Sequence, residues 1–120
     1  IISFNYPIKP TKQHKKNYKK FIKDLRNVLP CKYCRMNFKK NLKDLPLTEK
    51  ALKNRNNFSR WMFNMHELVN KMLGKKSNLK YCDIRERYEH FRSRCTQDKD
   101  TMKIIQKVLI GLKAQTVALL

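Results

Sequence analysis

The apolar positions of the chain recur at helical spacing in several separate stretches. Tyr18, Phe21, Ile22, Leu25, Val28 and Leu29 fall three and four apart with lysines between them. That spacing predicts an amphipathic helix, which Thr11 can cap and Pro30 closes. A second, short helix from Cys31 is expected to turn Cys34, Phe38, Leu42 and Leu45 inward and to stop near Pro46. A minor turn at Thr48 to Lys50 and a polar joint over Asn54 to Asn57 come next. The row Phe58, Trp61, Met62, Met65, Val69, Met72 and Leu73 then predicts the best-defined helix, with Gly74 as its stop. A further helix is expected from Tyr81 to Cys95 through Ile84, Tyr88 and Phe91, with Asp83 near its start. Ahead of these elements, Ile1 to Phe4 read as the tail of a helix ended by Tyr6-Pro7 and Lys9-Pro10. Behind them, Met102, Ile105, Leu109 and Leu112 alternate with lysines and suggest a weakly amphipathic terminal helix over Thr101 to Leu120.

Composition agrees with this periodicity. Two glycines and four prolines in 120 residues are too few for a sheet protein full of tight turns, so the expected fold class is all-α. That length supports one domain with a modest core, expected over residues 1–95 with a C-terminal extension over 96–120. No run reaches the roughly 20 apolar residues of a membrane span. The first residues carry neither an initiator Met nor a charged leader, so they read as a segment trimmed at its front rather than a signal peptide. Charge changes the picture more: 29 basic against 9 acidic side chains give a formal +20. A field of that size attracts polyanions, so nucleic acid is a candidate partner. No zinc finger, basic zipper or RNA-binding aromatic motif accompanies it.

Candidate chemistry concentrates at Pro30-Cys31-Lys32-Tyr33-Cys34-Arg35. Two sulfurs at this spacing, at a helix start with Lys32 and Arg35 beside them, suit a redox pair with thiolate character. Half of a zinc site is the other reading, but Cys82 and Cys95 supply no second such pair. His66 and Asn70 stand four apart and share one helix face, where they could bind one ligand, or His66 could simply be a satisfied core or surface group. Cys82 and Cys95 are not expected to bond within one subunit. Thirteen helical residues separate them by about 20 Å, against a tolerance of about 7 Å between Cα atoms.

Taken together, these residues resemble the Erv/ALR family of FAD-dependent sulfhydryl oxidases. Pro30-Cys31-x-x-Cys34 matches the family's redox centre. Trp61, then His66-Glu67-Leu68-Val69-Asn70, then Leu73-Gly74-Lys75 match its cofactor helix in order and spacing. Tyr6-Pro7 matches the Tyr-Pro after the family's first helix, and Tyr88 an aromatic on its last bundle helix. The resemblance implies a four-helix bundle with a short fifth helix, with FAD held between helices. Cys31 would then face incoming thiols and Cys34 the flavin, and electrons would pass to oxygen to give hydrogen peroxide. The cofactor residues it implies are Tyr6, Trp61, His66, Asn70, Lys71, Lys75 and Tyr88, with no metal. It also implies thiol-containing protein substrates and a homodimer.

The chain departs from the family pattern in three places. It starts just after the position of a first-helix His that contacts FAD. Glu67 replaces the usual Asn after His66. Phe63 stands where cellular members have a Cys joined to the partner matching Cys82, so that disulfide is absent and Cys82 is expected to be a buried thiol, with Cys95 the more exposed. The last departure, with the Lys- and Asn-rich composition, points to a large DNA virus. The expected location is then the virion or the host cytoplasm, with the mitochondrial intermembrane space as the alternative. The competing function is a basic nucleic-acid or virion-interior binding protein with structural cysteines and weak contacts through its basic surface.

Overall fold

The structure, a computed structural model, describes residues 1–93. Four α-helices, α1 (Lys12–Val28), α2 (Lys32–Asp44), α3 (Arg55–Met72) and α4 (Tyr81–Ser93), follow a single 3-10 turn over Ile2–Phe4. There is no strand among the described residues. The expected terminal helix and Cys95 lie outside them. Each helix packs on the next in chain order, and the 3-10 turn bridges α3 and α4.

Local chemistry sets the boundaries. The Thr11 hydroxyl accepts from the His14 N–H at 3.1 Å while the His14 ring accepts from the Thr11 N–H at 3.2 Å, a reciprocal cap that starts α1. The Leu29 N–H still reaches the Leu25 carbonyl, after which Pro30 brings no N–H with which to continue. Helix α3 begins at Arg55 rather than Phe58. The expected polar joint is in fact its cap and first turn, because the Asn54 side chain accepts from the Asn57 N–H at 2.8 Å. At its other end Gly74 adopts φ +66°. The Lys75 N–H returns to the Asn70 carbonyl and the Gly74 N–H to the Lys71 carbonyl, which closes the helix with a left-handed residue.

The core centres on Tyr6, Ile22, Leu47, Leu52, Phe58, Trp61 and Met65, with Tyr18, Leu25, Phe38, Leu42 and Leu45 packed around it. Tyr6 is fully enclosed. Its hydroxyl donates to the Leu52 carbonyl at 2.8 Å, and its own carbonyl accepts from the Arg55 side chain at 2.6 Å. The segment before α1 is thereby tied to the start of α3, and both polar ends of a buried aromatic are satisfied. A second seam joins the 3-10 turn to α4, where the Phe4 ring stacks on Tyr88 with centroids 5.0 Å apart. Tyr81 caps that seam, with its hydroxyl 2.7 Å from Ser59 and the Arg60 guanidinium 4.1 Å above its ring.

Two expectations about burial are corrected. Cys34 does not point inward with Phe38 and Leu42 but is exposed, because it sits at the edge of the buried stripe in the first turn, before α2 reaches its neighbours. Cys82 is likewise exposed rather than buried. Tyr81 takes the inward position at the start of α4, and Phe63 packs against its ring with centroids 6.0 Å apart, which leaves Cys82 on the outer side.

Candidate active site

The corner between α1 and α2 displays the cysteine pair. Cys31 is the N-cap of α2: its backbone is extended, and its Sγ accepts from the Cys34 N–H at 3.3 Å. A sulfur in the place usually held by a Ser or Asp oxygen meets the free N–H groups and the positive end of the helix. Arg35 holds the corner from beneath, donating to the carbonyls of Leu29 and of Pro30. The sequence pattern did not single out this second task for Arg35, although its position four residues after Cys31 places it one turn below.

The two sulfurs are electrostatically unequal. Hydrogen bonding from Cys34, through its side chain and its backbone N–H, holds the Cys31 thiol below the ordinary value of 9.0, and Arg35 adds to the effect. The same side-chain interaction with Cys31 pushes Cys34 above 9.0. Negative charge thus settles on Cys31, while Cys34 keeps its proton. Both are free thiols, and with both exposed the pair can be approached from outside.

The remaining candidate residues divide between the core, the C-terminal half of α3 and α4. Trp61 is almost fully buried, stacked on Phe58 with its indole N–H donating to the Pro46 carbonyl at 3.2 Å, and Tyr6 is enclosed as described. Both lie within the central cluster. His66, Asn70, Lys71 and Lys75 occupy the C-terminal half of α3 and its cap. Burial lowers the His66 pKa below its ordinary 6.5, against the partial opposition of Glu67, so the imidazole is neutral near pH 7. Asn70 donates to the Glu67 carboxylate at 3.1 Å, and the Ser77 hydroxyl donates to the same oxygen at 2.9 Å. This network absorbs Glu67, the residue that departs from the family pattern, and its i, i+3 link to Asn70 was open to reading from spacing. Tyr88 lies on α4, half-buried against Phe4, and burial raises its pKa.

These residues fit, in chemical type, a ligand with planar rings and phosphates. The half-buried His66 ring makes no hydrogen bond among the described residues. Asn41, buried on the α2 face it shares with Cys34 at i, i+7, has an amide nitrogen with no partner. A buried donor left unpaired costs about 1–3 kcal/mol, which a bound acceptor would relieve. Lys71 and Lys75 are exposed at the end of α3, placed to meet negative charge. Among the described residues no cluster of His, Cys, Asp and Glu could hold a metal ion.

Comparisons of the whole chain with known proteins agree with one another. The model of the Erv1 / Alr family matches residues 1–94. A protein named as a probable FAD-linked sulfhydryl oxidase from Acanthamoeba polyphaga mimivirus is 40% identical over 75 residues, 62% of this chain and 52% of its own length. An FAD-linked sulfhydryl oxidase of Arabidopsis thaliana is 35% identical over 74 residues, 62% of this chain and 37% of its own. Among solved structures, the crystal structure of the yeast Erv1 core superposes with a TM-score of 0.57 at 31% identity, covering 62% of this chain and 61% of that one. The chain therefore spans about half or less of the curated relatives it matches.

Proposed function

From a chain that belongs to the Erv1 / Alr family, we propose an FAD-dependent thiol oxidase that forms disulfide bonds in protein substrates. The observation that carries this reading is the inequality of the cysteine pair. With the pair oxidised, a substrate thiolate attacks the Sγ of Cys31 at the tip of the corner, and Cys34 leaves as a thiolate. A second substrate thiol then displaces Cys31, which is a good leaving group because its thiolate is stabilised by the N-terminus of α2. Arg35 keeps the corner rigid through both exchanges. FAD, when bound, supplies the acceptance of the electron pair and its delivery to oxygen, which departs as hydrogen peroxide.

The residues proposed to hold that cofactor are His66, Asn70, Lys71, Lys75 and Tyr88, together with Trp61 and Tyr6 from the core cluster. His66, neutral and half-buried, offers a ring face and an acceptor nitrogen. Lys71 and Lys75 answer the phosphates. The exposed Phe21 and Val28 on α1 support a homodimer through that helix. No helix among the described residues is long and apolar enough to cross a membrane, and a viral relative supports action in the virion or the host cytoplasm. Oxygen uptake with dithiothreitol as substrate tests the assignment. Wild type turns over, whereas Cys31→Ser and Cys34→Ser are each expected to lose it by at least about a hundredfold. Turnover retained in either variant would contradict the roles of the two sulfurs.

A further inference from the structure

The outer face of α2 serves neither the core nor the corner. Phe38, Leu42 and Leu45 turn toward neighbouring elements, which sets Lys32, Tyr33, Met36, Lys39, Lys40 and Lys43 on the opposite side. All six are exposed, Tyr33 at 73% and Met36 at 57%. Tyr33 and Met36, three residues apart, form one apolar patch beginning beside Cys31, and the four lysines frame it. Among the described residues none of those lysines is in an ion pair, whereas Lys15, Lys19 and Lys20 of α1 all have acidic partners. The only acid on α2 is Asp44, at its far end.

An apolar pair ringed by unpaired like charges suits some occupants and excludes others. A second copy of this chain placed face to face would set lysine against lysine, which costs free energy. An acidic partner reverses that sign and leaves Tyr33 and Met36 to take an apolar side chain. Thirteen residues of helix extend about 20 Å, the reach of about six residues of extended chain. A segment lying along α2 therefore ends at Cys31.

We propose that this face of α2 is the docking surface for substrate, and that it selects proteins whose cysteine pair is flanked by acidic residues and one apolar side chain. The inference rests on the oxidase reading above and names its substrate class. The docked segment presents its thiolate to the Sγ of Cys31 and forms a mixed disulfide as the Cys31–Cys34 bond breaks. Its second thiol then closes the substrate disulfide. Of the two substrate protons one passes to Cys34 and one to solvent, and the electron pair rests on Cys31 as a thiolate and Cys34 as a thiol. The positive surroundings also favour ionisation of the incoming thiol.

Three substrates test the proposal: a Cys-x-x-Cys peptide flanked by glutamates and a leucine, its counterpart flanked by lysines, and dithiothreitol. At low ionic strength the acidic peptide is expected to show a kcat/KM at least about tenfold above the basic one. In about 1 M salt, where the screening length is about 3 Å, the ratio should fall toward unity. Lys40→Glu with Lys43→Glu, which leaves two lysines against two glutamates on the face, should bring the ratio toward unity, and Tyr33→Ser should raise KM only for peptides carrying the leucine. Equal rates for the two peptides alongside oxidation of dithiothreitol would overturn the docking face and leave the oxidase standing. The same peptides with serine in place of both cysteines, followed by fluorescence anisotropy, test docking without turnover. Equal binding of the two would overturn the proposal even in an inactive protein. So would duplex DNA displacing the acidic peptide more tightly than the peptide itself binds, which would assign the face to nucleic acid.

Discussion

Cys31 and Cys34 are three residues apart in one short turn, yet a single hydrogen-bond geometry gives them opposite tendencies. The Cys31 Sγ occupies a cap position and is stabilised as an anion, while Cys34 lies within the helix and is held protonated by its side-chain hydrogen bond with Cys31. In the reduced protein, alkylation by iodoacetamide should therefore titrate first at Cys31, with a midpoint below 9.0, and later at Cys34, above it. Mass spectrometry of the alkylated peptides across pH checks the order, and a shared midpoint would contradict it. The sequence shows where the sulfurs are but not which way they face. Spacing puts Cys34 on the apolar stripe of its helix; only the packing shows that the stripe becomes buried a turn later. Cys82 departs from expectation for a related reason. Its neighbour Tyr81 is the larger apolar group and takes the inward position.

Helix boundaries depend on which polar side chains cap them, and there the pattern is harder to read. Four consecutive polar residues, Asn54 to Asn57, look like a linker when only apolar positions are counted, yet Asn54 is a cap and the rest a first turn. Asn54→Ala should lower stability by about 1 kcal/mol, a fall of about 4–8 °C in Tm for a domain of this size. Gly74→Ala should cost a similar amount for another reason. Nothing lies within 4 Å of a Cβ placed there, so the penalty comes from the φ of +66° and not from crowding. Thermal unfolding followed by circular dichroism measures both, and an unchanged Tm in Asn54→Ala would remove the cap from the account. The apolar rows of α1 and α3 are readable in the sequence, because their periodicity survives whatever caps them. The Tyr6 link to Leu52 and Arg55 is not, since it joins residues more than forty positions apart.

At the level of the domain, the helices form a chain of pairwise contacts, and the side of α1 that carries Phe21 and Val28 remains exposed. An association through that side should make the protein sediment as a dimer, and Phe21→Glu with Val28→Glu should return it to monomers. A wild-type monomer would contradict the pairing. The fold class follows from periodicity and composition alone, whereas the cofactor reading needs the order Cys31-x-x-Cys34, Trp61, His66, Asn70, Lys75 as a whole, because none of those residues is diagnostic singly. Part of the formal charge of +20 stands on the exposed face of α2 beside the cysteine corner, as Lys32, Lys39, Lys40 and Lys43. What joins these parts is the claim that electrons travel from a thiol, through Cys31 and Cys34, to a bound flavin. A visible spectrum of the purified protein, recorded without oxygen before and after dithiothreitol and again after air is admitted, tests it. The expected result is a yellow protein whose flavin absorbance bleaches with the thiol and returns with oxygen, and whose bleaching is slowed by at least about a hundredfold in Cys34→Ser. A colourless protein, or a flavin that bleaches equally fast without Cys34, would contradict the account.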